Sequence, residues 1–214
     1  MIDSNVMLLR IHFHTYINSS PFYWLSLLHS SLLSSMNFPQ APTPPQNYYA
    51  PPPPVPASGY RIPLSHNSAF PTEMQTGRPP LHDADGVSPV FFGSAIFDNS
   101  VHPCKVVPAL DPKCMVPYGG KEHHHHGRFD LLPFDPNTME LIYVSHGHIP
   151  AGRRPIEGGY EDNGNKLYHG VATVNGVRVP GKTAPHLGGC NVSFGGGEHN
   201  IQDNYEIFSF CSKY

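Results

Sequence analysis

The chain has 214 residues, and its 25 prolines and 20 glycines make up about one residue in five, a helix-breaking load that argues against a helical bundle. The formal net charge is −3, so the basic footprint of a nucleic-acid binder is missing. Charged residues are 14% of the chain, against about 25% in an average domain, and four cysteines are too sparse for a disulfide scaffold.

The first feature in chain order is an absence: between Arg10 and Arg61 there is no Lys, Arg, Asp or Glu. The segment Pro21–Met36 is the main apolar stretch, but Ser and His interrupt it. It falls short of the roughly 18 apolar residues of a membrane span. It reads as a leader, with a poor secretory segment and a translation start at Met36 both left open. Nine of the eighteen residues from Pro39 to Pro56 are proline, which predicts a polyproline II spacer. Such a run is either a solvated linker or a ligand for a proline-recognition domain. Residues 1–57 are therefore expected to be a disordered arm.

From Gly59 onward the sequence repeats itself. Phe91-Phe92-Gly93-Ser94-Ala95 answers Leu167-Tyr168-His169-Gly170-Val171-Ala172, and Pro103-Cys104-Lys105 answers Pro180-Gly181-Lys182. Cys114 to His123 answers Cys190 to His199, and Phe129 to Leu132 answers Tyr205 to Phe208. His82 to Gly86 answers Tyr160 to Gly164, so the offset stays at 76 to 78 residues throughout. That is a tandem duplication. Within the second copy, two apolar runs flank Asn175-Gly176, the signature of a type I′ hairpin. Asp83 to Gly86 and Glu161 to Gly164 read as turns. Residues 142–145, 191–194 and 205–210 read as strands. The expected fold is all-β: two pseudo-symmetric tandem repeats of short antiparallel strands, sandwich- or barrel-like, over 58–136 and 137–214 and forming one compact unit.

Three constellations suggest chemistry. His123 to His126 invites a metal, yet only alternate residues of a strand share a face, so an exposed adventitious metal-binding loop is expected and no dedicated site. Glu122 and Glu198 could be a catalytic carboxylate pair. Duplication explains the pair without chemistry, and each Glu is expected to accept from the backbone donors of its own two preceding glycines. Cys114 and Cys190 occupy equivalent strand positions and read as buried hydrophobes. A disulfide between any pair stays open.

The blocks Ile149-Pro150-Ala151-Gly152, GGYEDNG (158–164), LYHGVA (167–172), VPGK (179–182), CNVSFGGGEH (190–199) and YEIF (205–208) resemble the DM-nine repeat, a unit found in tandem in animal mannose-binding lectins. The first copy is degenerate, with Pro80-Leu81 in place of paired glycines, but VPYGGKEH (116–123) matches well. The resemblance implies a mannose held by the acid after the paired glycines and by the lysine of the PGK block. These are Glu161 and Lys182 in the second copy, and Asp83 and Lys105 in the first. The acid is typically Asp, so Glu161 is a departure. A carboxylate and an ammonium suit vicinal hydroxyls, each of which donates and accepts; a plain surface salt bridge is the alternative for the pair. The expectation is a carbohydrate-binding, mannose-type lectin-like module with glycans as partners, no catalytic activity and no cofactor. The alternative is a protein-interaction scaffold with a vestigial sugar pocket and a Pro-rich recruiting arm. A homodimer is open, and a cytoplasmic setting is favoured over a secreted one.

Overall fold

The computed structural model describes residues 54–211. The leader, the apolar stretch 21–36 and the proline-rich sequence up to residue 53 lie outside the described residues. The first repeat contributes β1 (Ile62–Ser65), a single helical turn α1 (Glu73–Thr76), β2 (Leu81–His82), β3 (Pro89–Ile96), β4 (Val101–Val106), β5 (Cys114–Tyr118), β6 (Lys121–His125) and β7 (Arg128–Leu132). The second contributes β8 (Met139–Val144), β9 (Arg154–Pro155), β10 (Glu157–Tyr160), β11 (Lys166–Val174), β12 (Val177–Ala184), a 3₁₀ turn (Pro185–Leu187), β13 (Gly189–Phe194), β14 (Gly197–Ile201) and β15 (Tyr205–Phe210). The all-β expectation holds, and so does the tandem duplication.

Strand order displays the duplication as symmetry. The sheet runs β1-β7-β3-β4-β5-β6, then β14-β13-β12-β11-β15-β8. The second half is the first half read backwards, as a pseudo-two-fold axis between β6 and β14 requires. Strand β10 pairs with both β11 and β4. It thereby closes β4-β5-β6-β14-β13-β12-β11-β10 into an eight-strand barrel, with the remaining strands as wings. Closure removes the unpaired edges that an open sheet leaves exposed.

Each repeat packs its own core, and a third cluster joins them. Phe91, Cys104, Val106, Cys114, Phe129 and Leu131 pack together in the first. Val179, Cys190, Val192, Tyr205 and Ile207 do so in the second. Leu81, Val90, Phe92 and Leu132 meet Ile156, Val171, Phe208 and Phe210 in the shared cluster, with the Phe92 and Phe208 rings stacked at 4.5 Å. All four cysteines are free thiols; Cys104 and Cys114 touch, with 3.2 Å between sulfurs. At the start of the described chain, Arg154 donates to Val55 O at 2.8 Å and Glu157 N to Ala57 O at 3.0 Å. Residues 55–57 are thus fastened to the second repeat.

The β11–β12 hairpin is the one Asn175-Gly176 predicts. Val174 faces Val177, and the two loop residues have φ of 49° and 81°. A Cβ on Gly176 would meet nothing, so any cost of substitution is conformational. Gly176→Val should lower unfolding free energy by about 1–2 kcal/mol, read as a shifted urea midpoint. An unchanged midpoint would contradict the turn assignment.

The paired glycines 158–159 serve contact between the repeats. A Cβ on Gly159 would lie 1.9 Å from Val101 O, and one on Gly158 would lie 2.4 Å from Pro103 Cγ. Their missing side chains let β10 reach β4, where Tyr160 faces Val101. The first repeat has Pro80-Leu81 at the equivalent place, and β2 pairs with β3 alone. The barrel is therefore closed by the second repeat's strand, and the two halves are not equivalent.

Candidate functional site

Lys182 lies on β12 beside Thr183, which faces Cys190 of β13. Its residue is 4% exposed, so the ammonium is held where water is scarce. Burial lowers its pKa, and Glu161 and Glu198 offset part of that. Among the described residues the ammonium makes one hydrogen bond, to His102 Nδ1 at 3.2 Å. Glu161 Oε1 and Glu198 Oε1 each lie 4.0 Å away, beyond hydrogen-bond reach. Glu161 follows β10 at the barrel seam, and its backbone closes the turn to Gly164. His186 Nε2 stands 3.9 Å from Glu161 Oε1, and its side chain is 35% exposed. The sequence-derived pair Glu161 and Lys182 is thus brought to 4.0 Å without direct contact, and both Glu161 and His186 remain partly exposed.

The first repeat does not reproduce this arrangement. Lys105 is also buried, but its ammonium pairs directly with Glu122 Oε1 at 3.2 Å. Asp83 sits in the β2–β3 turn, where its carboxylate accepts from Ala84 N at 2.9 Å. Among the described residues no ion pair joins Asp83 to Lys105. The cause is β2, which ends short of the barrel and leaves Asp83 on the wing.

The two repeated glutamates work across the pseudo-two-fold axis, which corrects the expectation that each serves the glycines preceding it. Glu198 accepts from Gly120 N at 2.7 Å, and Glu122 accepts from Gly196 N at 2.8 Å. The backbone answers in kind: Glu122 N donates to Gly196 O at 3.1 Å and Glu198 N to Gly120 O at 3.3 Å. Glu198 also accepts from Asn191 Nδ2 at 2.8 Å. These bonds fix the carboxylates and stitch the β6–β14 seam, where Lys121 and Gly197 form the single ladder pair.

His102 is a site residue that repeat matching did not reveal. It is 0% exposed, on β4 of the first repeat, and lies edge-on to the Tyr118 ring at 5.0 Å. Burial, then the neighbouring ammonium, push its pKa down to about 4, so it is neutral at pH 7. Val179 occupies the equivalent place in the second repeat. The four-histidine run lies on and just past β6. His125 is buried there and its Nε2 bonds to Arg128 O at 2.9 Å. Among the described residues no group of three or more His, Cys, Asp or Glu is placed to hold a metal ion.

No curated protein matches the chain. Among solved structures, the nematode sperm cell motility protein MFP2B superposes with a TM-score of 0.51 at 15% identity, covering 77% of this chain. The match spans 50% of that protein, so the chain corresponds to about half of its length, and the likeness is one of fold. The DM9 repeat model matches residues 83–201, which takes in β3 to β7 and β8 to β14. A match over more than half of the sequence, on a structure folded as two such units, makes this chain a member of the DM9 repeat family.

Proposed function

We propose that the barrel is a carbohydrate-binding module of mannose type, acting without catalysis through Glu161 and Lys182. The observation that carries this reading is the buried ammonium of Lys182, with one hydrogen bond made and two carboxylates held at 4.0 Å. An ammonium has three donors and a carboxylate has only acceptors. A buried pair of that kind ordinarily closes to direct contact, as Lys105 and Glu122 do at 3.2 Å. At 4.0 Å the two groups are spaced to share a hydroxyl, which accepts from one and donates to the other.

The reading assigns one sugar to each chain, in the second-repeat site. Small neutral sugars bury little apolar area, so affinity should fall in the micromolar to millimolar range, about −8 to −4 kcal/mol. A glycan array should show mannose-type ligands retained with and without chelator. Retention should be lost in Lys182→Ala and Glu161→Ala, and kept in Lys105→Ala and Asp83→Ala if these remain folded. Unaltered retention in the first two variants would overturn the reading and favour the scaffold alternative.

A further inference from the structure

We propose that the site chelates a vicinal diol of a neutral sugar, with His102 of the first repeat as its third recognition group; the inference rests on the carbohydrate reading above. Glu161 faces three nitrogens across gaps of nearly the same size. Its Oε1 lies 4.0 Å from Lys182 Nζ and 3.9 Å from the partly exposed His186 Nε2, and its Oε2 lies 4.0 Å from His102 Nε2; the two buried gaps, to Lys182 and His102, are the ones a diol would fill. A hydroxyl oxygen at about 2.8 Å from both sides of such a gap subtends an angle of about 90°, a geometry a hydroxyl accepts. Two hydroxyls on adjacent carbons would fill both gaps together. Each would donate to one carboxylate oxygen and accept one N–H, in the paired manner that favours carboxylates as bidentate partners.

The protonation state of His102 follows from its neighbours. The ammonium of Lys182 can only donate, so His102 Nδ1 is the acceptor of their 3.2 Å bond. The ring proton of the neutral imidazole is therefore on Nε2. That nitrogen is buried and has no hydrogen-bond partner among the described residues. A buried donor left unpaired is costly, and this one points at the carboxylate across the gap. Its pKa of about 4 keeps it a neutral donor over the physiological range.

Charge then sets the class of ligand. Glu161 and Glu198 stand against the single ammonium of Lys182, and the imidazole adds no charge. The site repels uronic and sialic acids and takes a neutral sugar. The first repeat cannot build the same chelate. Val179 stands at the place equivalent to His102, and Asp83 is not paired with Lys105.

The test is calorimetric titration of the full chain with methyl α-mannoside and its four monodeoxy analogues. In the native protein, loss of either of two hydroxyls on adjacent carbons should weaken binding about fivefold or more. His102→Val, which installs the pseudo-symmetric residue, should weaken methyl α-mannoside to a similar degree and become indifferent to one of those two deletions. A His102→Val protein that binds all five ligands as the native chain does would overturn the diol chelate while leaving the carbohydrate reading intact. So would sensitive hydroxyls on non-adjacent carbons, or glucuronate bound as well as the mannoside. If the native chain binds none of the ligands, the carbohydrate reading falls and the chelate with it. Should His102→Val fail to fold, ¹⁵N-resolved imidazole spectra of the native protein decide the point. The His102 Nε2–H signal should shift on saturation with mannoside, and a signal that stays fixed would overturn the assignment.

Discussion

Arg61→Met should destabilise the fold by about 3–5 kcal/mol, the range for removing one partner of a desolvated, charged hydrogen-bond network. Arg61 precedes β1, yet its guanidinium reaches across the repeats. Its Nε donates to Ser58 O at 2.6 Å, Nη1 to Ser94 Oγ at 3.2 Å, and Nη2 to Glu157 O at 2.8 Å and His169 Nε2 at 3.0 Å. Ser94 in turn donates to Gly158 O at 2.6 Å. One side chain thus ties the start of the first repeat to β10 and β11 of the second. Desolvation lowers its pKa to about 10, with Asp130 opposing, so it stays charged at pH 7. Met fills the volume and supplies none of the donors, leaving the Glu157 carbonyl and the His169 ring nitrogen unpaired. Arg61→Lys should be nearly as damaging, because a single ammonium cannot reproduce the planar fork. Urea unfolding checks both; a midpoint within error of the native value would contradict the bridging role.

Stability should also fall steeply as pH drops from 6.5 to 5. His102 and His169 are both buried and both neutral in the fold. Burial and the Lys182 ammonium lower the first to about 4, and burial and the Arg61 guanidinium hold the second well below the ordinary histidine range. In the unfolded chain each titrates near 6.5. Below that pH the unfolded state binds more protons than the folded one, so acid favours unfolding. Their contribution is fully present above pH 6.5 and is lost as pH falls below it. At about 1.4 kcal/mol per pH unit, His102 alone gives a loss on the order of 2 kcal/mol at pH 5, and His169 and the buried His125, lowered in the same direction, add to it. Most carboxylates are still ionised there, which keeps the window specific to histidine. Chemical denaturation at pH 7, 6 and 5 measures it, and equal free energies across the series would contradict the buried neutral assignment.

The sequence carried some of this plainly. Asn175-Gly176 located a hairpin because only a few residues tolerate its backbone, and the 76-to-78-residue offset announced two copies of one unit. Glu161 and Lys182 were legible as a pair only through the family resemblance, and the structure brings their side chains to 4.0 Å of each other. What stayed hidden depends on the partner repeat. Glu122 and Glu198 each bond a glycine amide more than seventy residues away, and nothing local points there. Asp83 and Lys105 looked like a second pair because repeat matching assumes equivalence. Pro80-Leu81 breaks that equivalence by removing the close approach that Gly158-Gly159 allow. His102 was missed for the same reason: its counterpart is Val179, so comparing the copies discards it. The signal available was its place directly before the matched Pro103-Cys104-Lys105 block. Arg61 carried a sign as well, as the first charge after a run of fifty uncharged residues, but no spacing rule ties it to His169.

On the proposed reading a single sugar site is built by Glu161 and Lys182, and the first repeat has none. Its most direct test is the stoichiometry of methyl α-mannoside by calorimetric titration on the native chain, Lys182→Ala, Glu161→Ala and the double variant. The account predicts one sugar per native chain. It also predicts losses that are non-additive in the double variant, because both side chains hold one ligand. Two sugars per chain, or native affinity retained by the folded double variant, would contradict it.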